Sequence, residues 1–148
     1  MKLVSIVLFF SFLFTNAFAK KIYNAKSFEL RNGLKVIVIE NKRAPVVAQM
    51  IWYNFGSGVE KNGKSGLAHF MEHLMFKGTK KFPDSFYSDY ISKIGGSENA
   101  FTSYDYTAYY QIFPRYELEQ IMKMESDRMV NLTLTREDRK STRLNSSH

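Results

Sequence analysis

No cysteine occurs in the 148 residues, so no disulfide framework is open to this chain, and without thiols it needs no redox management. Beyond the first nineteen residues no stretch is apolar enough to span a bilayer, so no membrane span is expected once that leader is removed. An excess of one charge sign is also missing from the body of the chain. Between Lys20 and Asp138, 17 Lys or Arg face 14 Asp or Glu, and the four remaining basic residues are Lys2, Arg139, Lys140 and Arg143. The formal net charge of +7 therefore sits mostly at the two ends. A mixed, solvated surface is expected, and a nucleic-acid partner is not. There is no internal repeat, and the length and the 45% hydrophobic content suit one ordinary core, or part of one.

What is present begins with an address. Lys2 supplies a short positive region, residues 3–14 form an almost unbroken apolar run, and Ala17-Phe18-Ala19 has the small-x-small spacing of a signal peptidase site. A dozen apolar residues make a helix of only about 18 Å, short of the roughly 30 Å hydrocarbon core, which argues against an anchor. Residues 1–19 are read as a cleaved signal peptide and the mature protein as secreted or periplasmic. At the other end, residues 139–148 are polar, unpatterned and unlike what precedes them; they read as a flexible end or a non-native tail, outside fold reasoning.

Between these ends, Phe28 to Arg31, Asn32-Gly33 and Leu34 to Glu40 predict strand, two-residue turn and strand, with Val36-Ile37-Val38-Ile39 as a buried β-branched strand. Residues 46–55 predict a third strand closed by Gly56-Ser57-Gly58. A helix over 67–77 ends at Gly78. A second, over about 84–94, has Pro83 in its first turn and stops at Gly95-Gly96. Residues 97–113 are rich in Tyr, Thr, Phe and Ala and read either as one long strand or as two joined near Tyr104-Asp105. A third helix over 116–131 carries a mostly apolar stripe of Leu118, Ile121, Met122, Met124, Glu125 and Met129. The order βββ, α, α, ββ, α is no strict βαβ alternation. It predicts the α+β class, a mixed or antiparallel sheet with helices packed on one face.

The first helix carries the chemistry. Leu67, Phe70, Met71, Leu74 and Met75 follow i, i+3, i+4, i+7, i+8 and mark its core side. His69, Glu72, His73 and Phe76 fall on the other side, where packing does not demand them. Histidines four apart sit one turn above each other and can reach one cation at about 2.0 to 2.1 Å. Glu72 would lie beside it, placed to take a proton from a water the metal has acidified and to return it to a leaving amine. This is the H-x-x-E-H arrangement, the reverse of H-E-x-x-H. By itself the spacing is a weak signal, because His and Glu on an exposed helical face are usually only solvated.

The context is more specific. Ser65-Gly66-Leu67-Ala68-His69-Phe70-Met71-Glu72-His73-Leu74-Met75-Phe76-Lys77-Gly78-Thr79 resembles the zinc-site helix of the pitrilysin/insulinase family, which includes the mitochondrial processing peptidases and their bacterial relatives. Leu30-Arg31-Asn32-Gly33-Leu34-Lys35-Val36 resembles that family's opening hairpin, and Trp52-Tyr53-Asn54-Phe55-Gly56-Ser57-Gly58 its third strand and turn. Gly95-Gly96-Ser97-Glu98-Asn99-Ala100-Phe101-Thr102, followed by Asp105 and Thr107, resembles its substrate-side strand. The resemblance covers about residues 21–138.

That resemblance implies a zinc endopeptidase with one Zn2+ per domain, His69 and His73 as metal ligands and Glu72 as catalytic base. It implies a peptide or small polypeptide substrate, added as a strand along Asn99, Ala100 and Phe101; an ordinary structural strand is the alternative there. Glu125 aligns with a position often acidic near the site, although a solvated helix carboxylate is the plainer reading. The family's third ligand, a glutamate roughly 75 residues after the second histidine, is expected at or past His148, and a second family half or a partner subunit is expected to close over the substrate. Two other readings stay open: a non-catalytic, peptide-binding partner subunit of the same family, and an inactive truncated fragment.

Overall fold

The computed structural model describes residues 23–134 except 62 and 64. The signal peptide and tail expected at 1–19 and 139–148 lie outside the described residues. The chain divides into two compact units, one up to Lys42 and one from Arg43.

The first unit is an antiparallel hairpin of β1 (Ala25–Glu29) and β2 (Lys35–Ile39), in register from Ala25 opposite Ile39 to Glu29 opposite Lys35. Its turn is one residue longer than expected. Leu30 N–H donates to the Leu34 carbonyl at 2.9 Å, and the Leu30 carbonyl accepts from Gly33 N–H at 2.9 Å, leaving three loop residues with Gly33 at φ 83. The positive φ that suggested a two-residue turn is here the left-handed residue that closes a three-residue loop. Burial of β2 is also less than expected: Ile37, Val38 and Ile39 are exposed, because a two-stranded ribbon is a single layer and cannot cover its own faces.

The second unit holds a three-stranded antiparallel sheet in the order β3 (Val46–Tyr53), β5 (Thr107–Pro114), β4 (Ser97–Thr102). Residues 97–113 are thus two strands, turned at 103–106. Its helices are α1 (Leu67–Leu74), α2 (Phe86–Lys93) and α3 (Leu118–Asn131). The register sets Gln49 opposite Gln111 and Gln111 opposite Glu98. Thr107, Tyr109, Gln111 and Phe113 share one buried face of the central strand, while on its other face Ala108 is buried, Tyr110 half-buried and Ile112 exposed, the more uneven cover of a sheet packed chiefly on one side. The helices pack on that one side. Tyr87 and Ile91 of α2 meet Phe113 and, from α3, Ile121 and Met124, with Val47, Phe82, Tyr90 and Ile94 at the margin. Each large apolar side chain buried here contributes about 1.5–3 kcal/mol. The fold is α+β, as the element order predicts.

Helix boundaries show where local chemistry overrode the expected starts. The second helix begins at Phe86, because Ser85 takes a left-handed φ of 64 and bonds Asp89 Oδ2 at 2.9 Å; Pro83 only offers its carbonyl to Phe86 N–H at 3.0 Å. The third begins with a 3-10 turn over Arg115–Glu117 before α3. Only Ala68 and Leu74 of α1 are buried, whereas Leu67 is exposed, so the helix rests on the sheet through a line rotated from the expected stripe. The continuation of α1, a 3-10 turn over Met75–Lys77, stops at Gly78. With φ 78 and a carbonyl of Phe82 2.4 Å from where a Cβ would stand, position 78 admits glycine alone.

The largest departure lies on α3. Glu125, expected in solvent, is 2% exposed, and Arg128 3%. Arg128 Nη2 meets Glu125 Oε2 at 2.6 Å, and the same oxygen accepts from Tyr87 Oη at 3.1 Å. The guanidinium lies over the rings of Tyr87, Tyr109 and Phe76 at 4.6, 5.1 and 5.9 Å. The charge is tolerated because it is paired, bonded and faced by aromatic rings.

Candidate active site

Helix α1 is positioned at its N-terminus by a group outside its own sequence. Gly66 precedes it with φ 87, and no Ser, Thr, Asp or Asn side chain caps it. Instead the Glu60 carboxylate reaches back, Oε2 accepting from Gly66 N–H at 2.8 Å and Oε1 from Ala68 N–H at 2.7 Å. An acidic group on free amides at a helix N-terminus satisfies donors and complements the helix dipole. Its six-residue offset from Gly66 hides it from any search for a capping residue next to the helix.

So held, α1 lies against β4 and β5 and turns His69 and His73 outward; both are exposed. Their Nε2 atoms stand 3.1 Å apart, with ring centroids at 4.7 Å and planes at 54°. Two neutral imidazoles at this distance either share one proton or direct two lone pairs to a common point. A cation about 2.05 Å from each nitrogen would subtend about 100° between them, near the tetrahedral angle. The pair therefore fits a zinc ion as two of its ligands. Among the described residues no third His, Cys, Asp or Glu joins them.

Glu72 points elsewhere. Half-buried, it receives a hydrogen bond at Oε2 from Thr102 Oγ1, the last residue of β4, at 2.5 Å. Thr102 stands opposite Thr107, their hydroxyls 3.3 Å apart, and Thr107 Oγ1 donates to the Phe55 carbonyl at 2.9 Å. Tyr109, next on this face of β5, is buried under Arg128; burial raises its phenol well above the usual range, and Glu72 adds to the rise.

The other expected residues sit on β4, whose second edge has no strand partner among the described residues. Ala100 N–H is taken by the neighbouring Asn99 Oδ1 at 2.8 Å, a local bond that an incoming strand would have to displace. Phe101 faces away from α1, on the open side of the sheet, 6.1 Å edge-on from Trp52 and 6.0 Å from Tyr106. The structure therefore brings His69, Glu72 and His73 onto one helix and Glu72 against β4, but it does not turn Phe101 toward them. Sequence reasoning missed Thr102 as a partner of Glu72. Thr102 falls within the quoted substrate-side stretch, but nothing in its spacing marks it apart from Asn99 or Phe101.

The chain is similar to known proteins. The family profile described as Insulinase (Peptidase family M16) matches residues 35–147. The A-factor-processing enzyme of Saccharomyces cerevisiae is 45% identical over 83 residues, covering 55% of this chain and 8% of that protein. The zinc protease PqqE of Helicobacter pylori is 34% identical over 115 residues, covering 76% of this chain and 26% of that protein. A crystal structure of a protease from Helicobacter pylori superposes with a TM-score of 0.80 at 31% identity, over 84% of this chain and 30% of that one. The chain thus spans 8% and 26% of the lengths of these two curated relatives.

Proposed function

Because the chain belongs to the insulinase (peptidase M16) family, we propose that it supplies the amino-terminal catalytic elements of a zinc endopeptidase that hydrolyses peptide bonds in peptides or small polypeptides. The observation that carries this reading is the convergence of His69 Nε2 and His73 Nε2 at 3.1 Å on the exposed face of the helix that also carries Glu72.

His69 and His73 would hold the metal, with a third ligand, a glutamate, from outside the described residues. Zinc bound there would polarise the scissile carbonyl and acidify water. Glu72 acts as the base: Oε2 is engaged by Thr102, which leaves Oε1 to accept the proton of the attacking water and then to pass it to the leaving amine. The peptide lies along β4 as an added strand, Asn99, Ala100 and Phe101 providing main-chain bonds once Asn99 Oδ1 releases Ala100 N–H. A second family half or a partner subunit closes the site. Export follows from residues 1–19 alone. Among the described residues no helix is long and apolar enough to cross a membrane.

The test is Glu72→Gln in the full-length gene product, assayed on a fluorogenic peptide with zinc measured alongside. Hydrolysis is expected to fall by about 10³-fold or more while zinc content holds, because only the proton acceptor is removed. Unchanged hydrolysis would remove Glu72 from the mechanism, and a wild-type protein that binds peptide without cleaving it would favour the partner-subunit reading.

A further inference from the structure

A glutamate on an exposed helical face has three rotatable bonds and no reason to keep one orientation, whereas a base must be held within about 0.5 Å of its working position. Among the described residues Glu72 is held by one side chain, Thr102, through a 2.5 Å bond to Oε2. We infer that Thr102 is a positioning residue for the proposed base, fixing which carboxylate oxygen meets the water; this rests on Glu72 being that base.

Thr102 suits the task for reasons local to the hairpin. Its branched Cβ restricts χ1, and it forms the closing cross-strand pair of β4 and β5 with Thr107. A threonine hydroxyl has one hydrogen to give. That of Thr107 goes to the Phe55 carbonyl, so it makes no demand on Thr102, whose hydrogen is left for Glu72. The brace continues into the turn after β3. At Gly56 a Cβ would stand 2.4 to 2.6 Å from Ser103 O, Tyr104 O and Tyr106 N, and Ser57 N–H and Gly58 N–H donate to the Ser103 and Tyr104 carbonyls at 3.0 and 2.7 Å. The turn between β4 and β5 is thereby clamped to the turn after β3, and Thr102 stands at the root of that clamp.

The test compares Thr102→Val, which keeps the shape and loses the hydroxyl, with Thr102→Ser, which keeps the hydroxyl, both in the full-length protein. For Thr102→Val, kcat is expected to fall by about 10- to 100-fold, the scale of a misplaced catalytic group, with KM within about twofold and zinc content unchanged. Thr102→Ser should recover to within about threefold of wild type. Crystal structures of the two variants give a second readout that needs no turnover: Glu72 should hold one position with Ser and spread over several rotamers with Val. Wild-type kcat in Thr102→Val, an equal loss in Thr102→Ser, or a single unmoved Glu72 in the valine structure would each overturn the inference. If Glu72→Gln itself leaves hydrolysis intact, it is the assignment of the base that fails, and the crystal structures still decide whether Thr102 fixes the side chain.

Discussion

Glu72 and Glu125 are the same residue type on two helices of one small unit, and their surroundings differ in nearly every respect. Glu125 is 2% exposed, and one of its oxygens serves both Arg128 and Tyr87. Glu72 has one hydroxyl on one oxygen and an accessible flank beside two exposed imidazoles. In each carboxylate one oxygen takes the hydrogen bonds and the other has no hydrogen-bond partner among the described residues, but the second oxygen of Glu125 is shut inside the core, whereas that of Glu72 lies on a partly exposed flank. Burial and pairing show which ionisable groups the fold depends on, and incomplete pairing at a surface shows which ones it can spare for chemistry.

Substitutions sharpen that contrast, and they rank by their expected effect on folding. Arg128→Ala strands Glu125 without its cation and should lower unfolding free energy by about 3–5 kcal/mol, read by urea denaturation of the full chain. Replacing both partners, Arg128→Met with Glu125→Leu, should restore most of it, since apolar pairs often replace buried ion pairs without loss. A single variant as stable as its parent would mean that the fold does not depend on the Arg128–Glu125 pair. A smaller effect is expected with alkali. Burial chiefly, then Glu125, raises the Tyr87 phenol far above its ordinary 10.0, and burial likewise raises Tyr109. Their neutral forms therefore stabilise the folded state fully below pH 10.0, and that contribution is lost as pH rises through the folded values. The share of phenolate absorbance that Tyr87→Phe and Tyr109→Phe remove should accordingly appear together with unfolding above that pH, not before it. The smallest effect belongs to the site: His69→Ala should change the stability of the metal-free protein by no more than about 0.5 kcal/mol while abolishing stoichiometric zinc uptake in calorimetry. A large loss of stability there would mean that His69 serves the fold after all.

Much of this was legible in the sequence because it is written in short spacings. The Tyr-, Thr- and Phe-rich composition of residues 97–113, the stops at Gly78 and Gly95-Gly96, and the i, i+4 histidines are local signals, and the elements appear within a few residues of where those signals place them. What escaped depends on partners distant along the chain. Helical spacing shows that Leu67, Phe70, Met71 and Leu74 share a side, but where a helix lies on its sheet is settled by shape, and here Ala68 and Leu74 are the residues covered. Glu125 looked like a solvated carboxylate because its aromatic and cationic neighbours come from α2, β5 and a later turn of α3. Thr102 reaches Glu72 across thirty positions, and no periodicity spans such a gap.

The strand order β3, β5, β4 also has a consequence for biosynthesis. The middle strand is the last to be made, so β3 leaves the ribosome before its neighbour β5 exists and waits while α1, α2 and β4 follow it. β4 and β5 are joined by only four residues and can zip together at once, but closing the sheet means capturing a strand that ended more than fifty positions earlier, a slow, non-local step. Until then Val46, Met50 and Trp52 are carried on an unpaired strand open to the wrong partners. The turn after β3, and with it the footing of Thr107 on Phe55, is settled only when that capture is complete, so the arrangement around Glu72 matures at the end of folding.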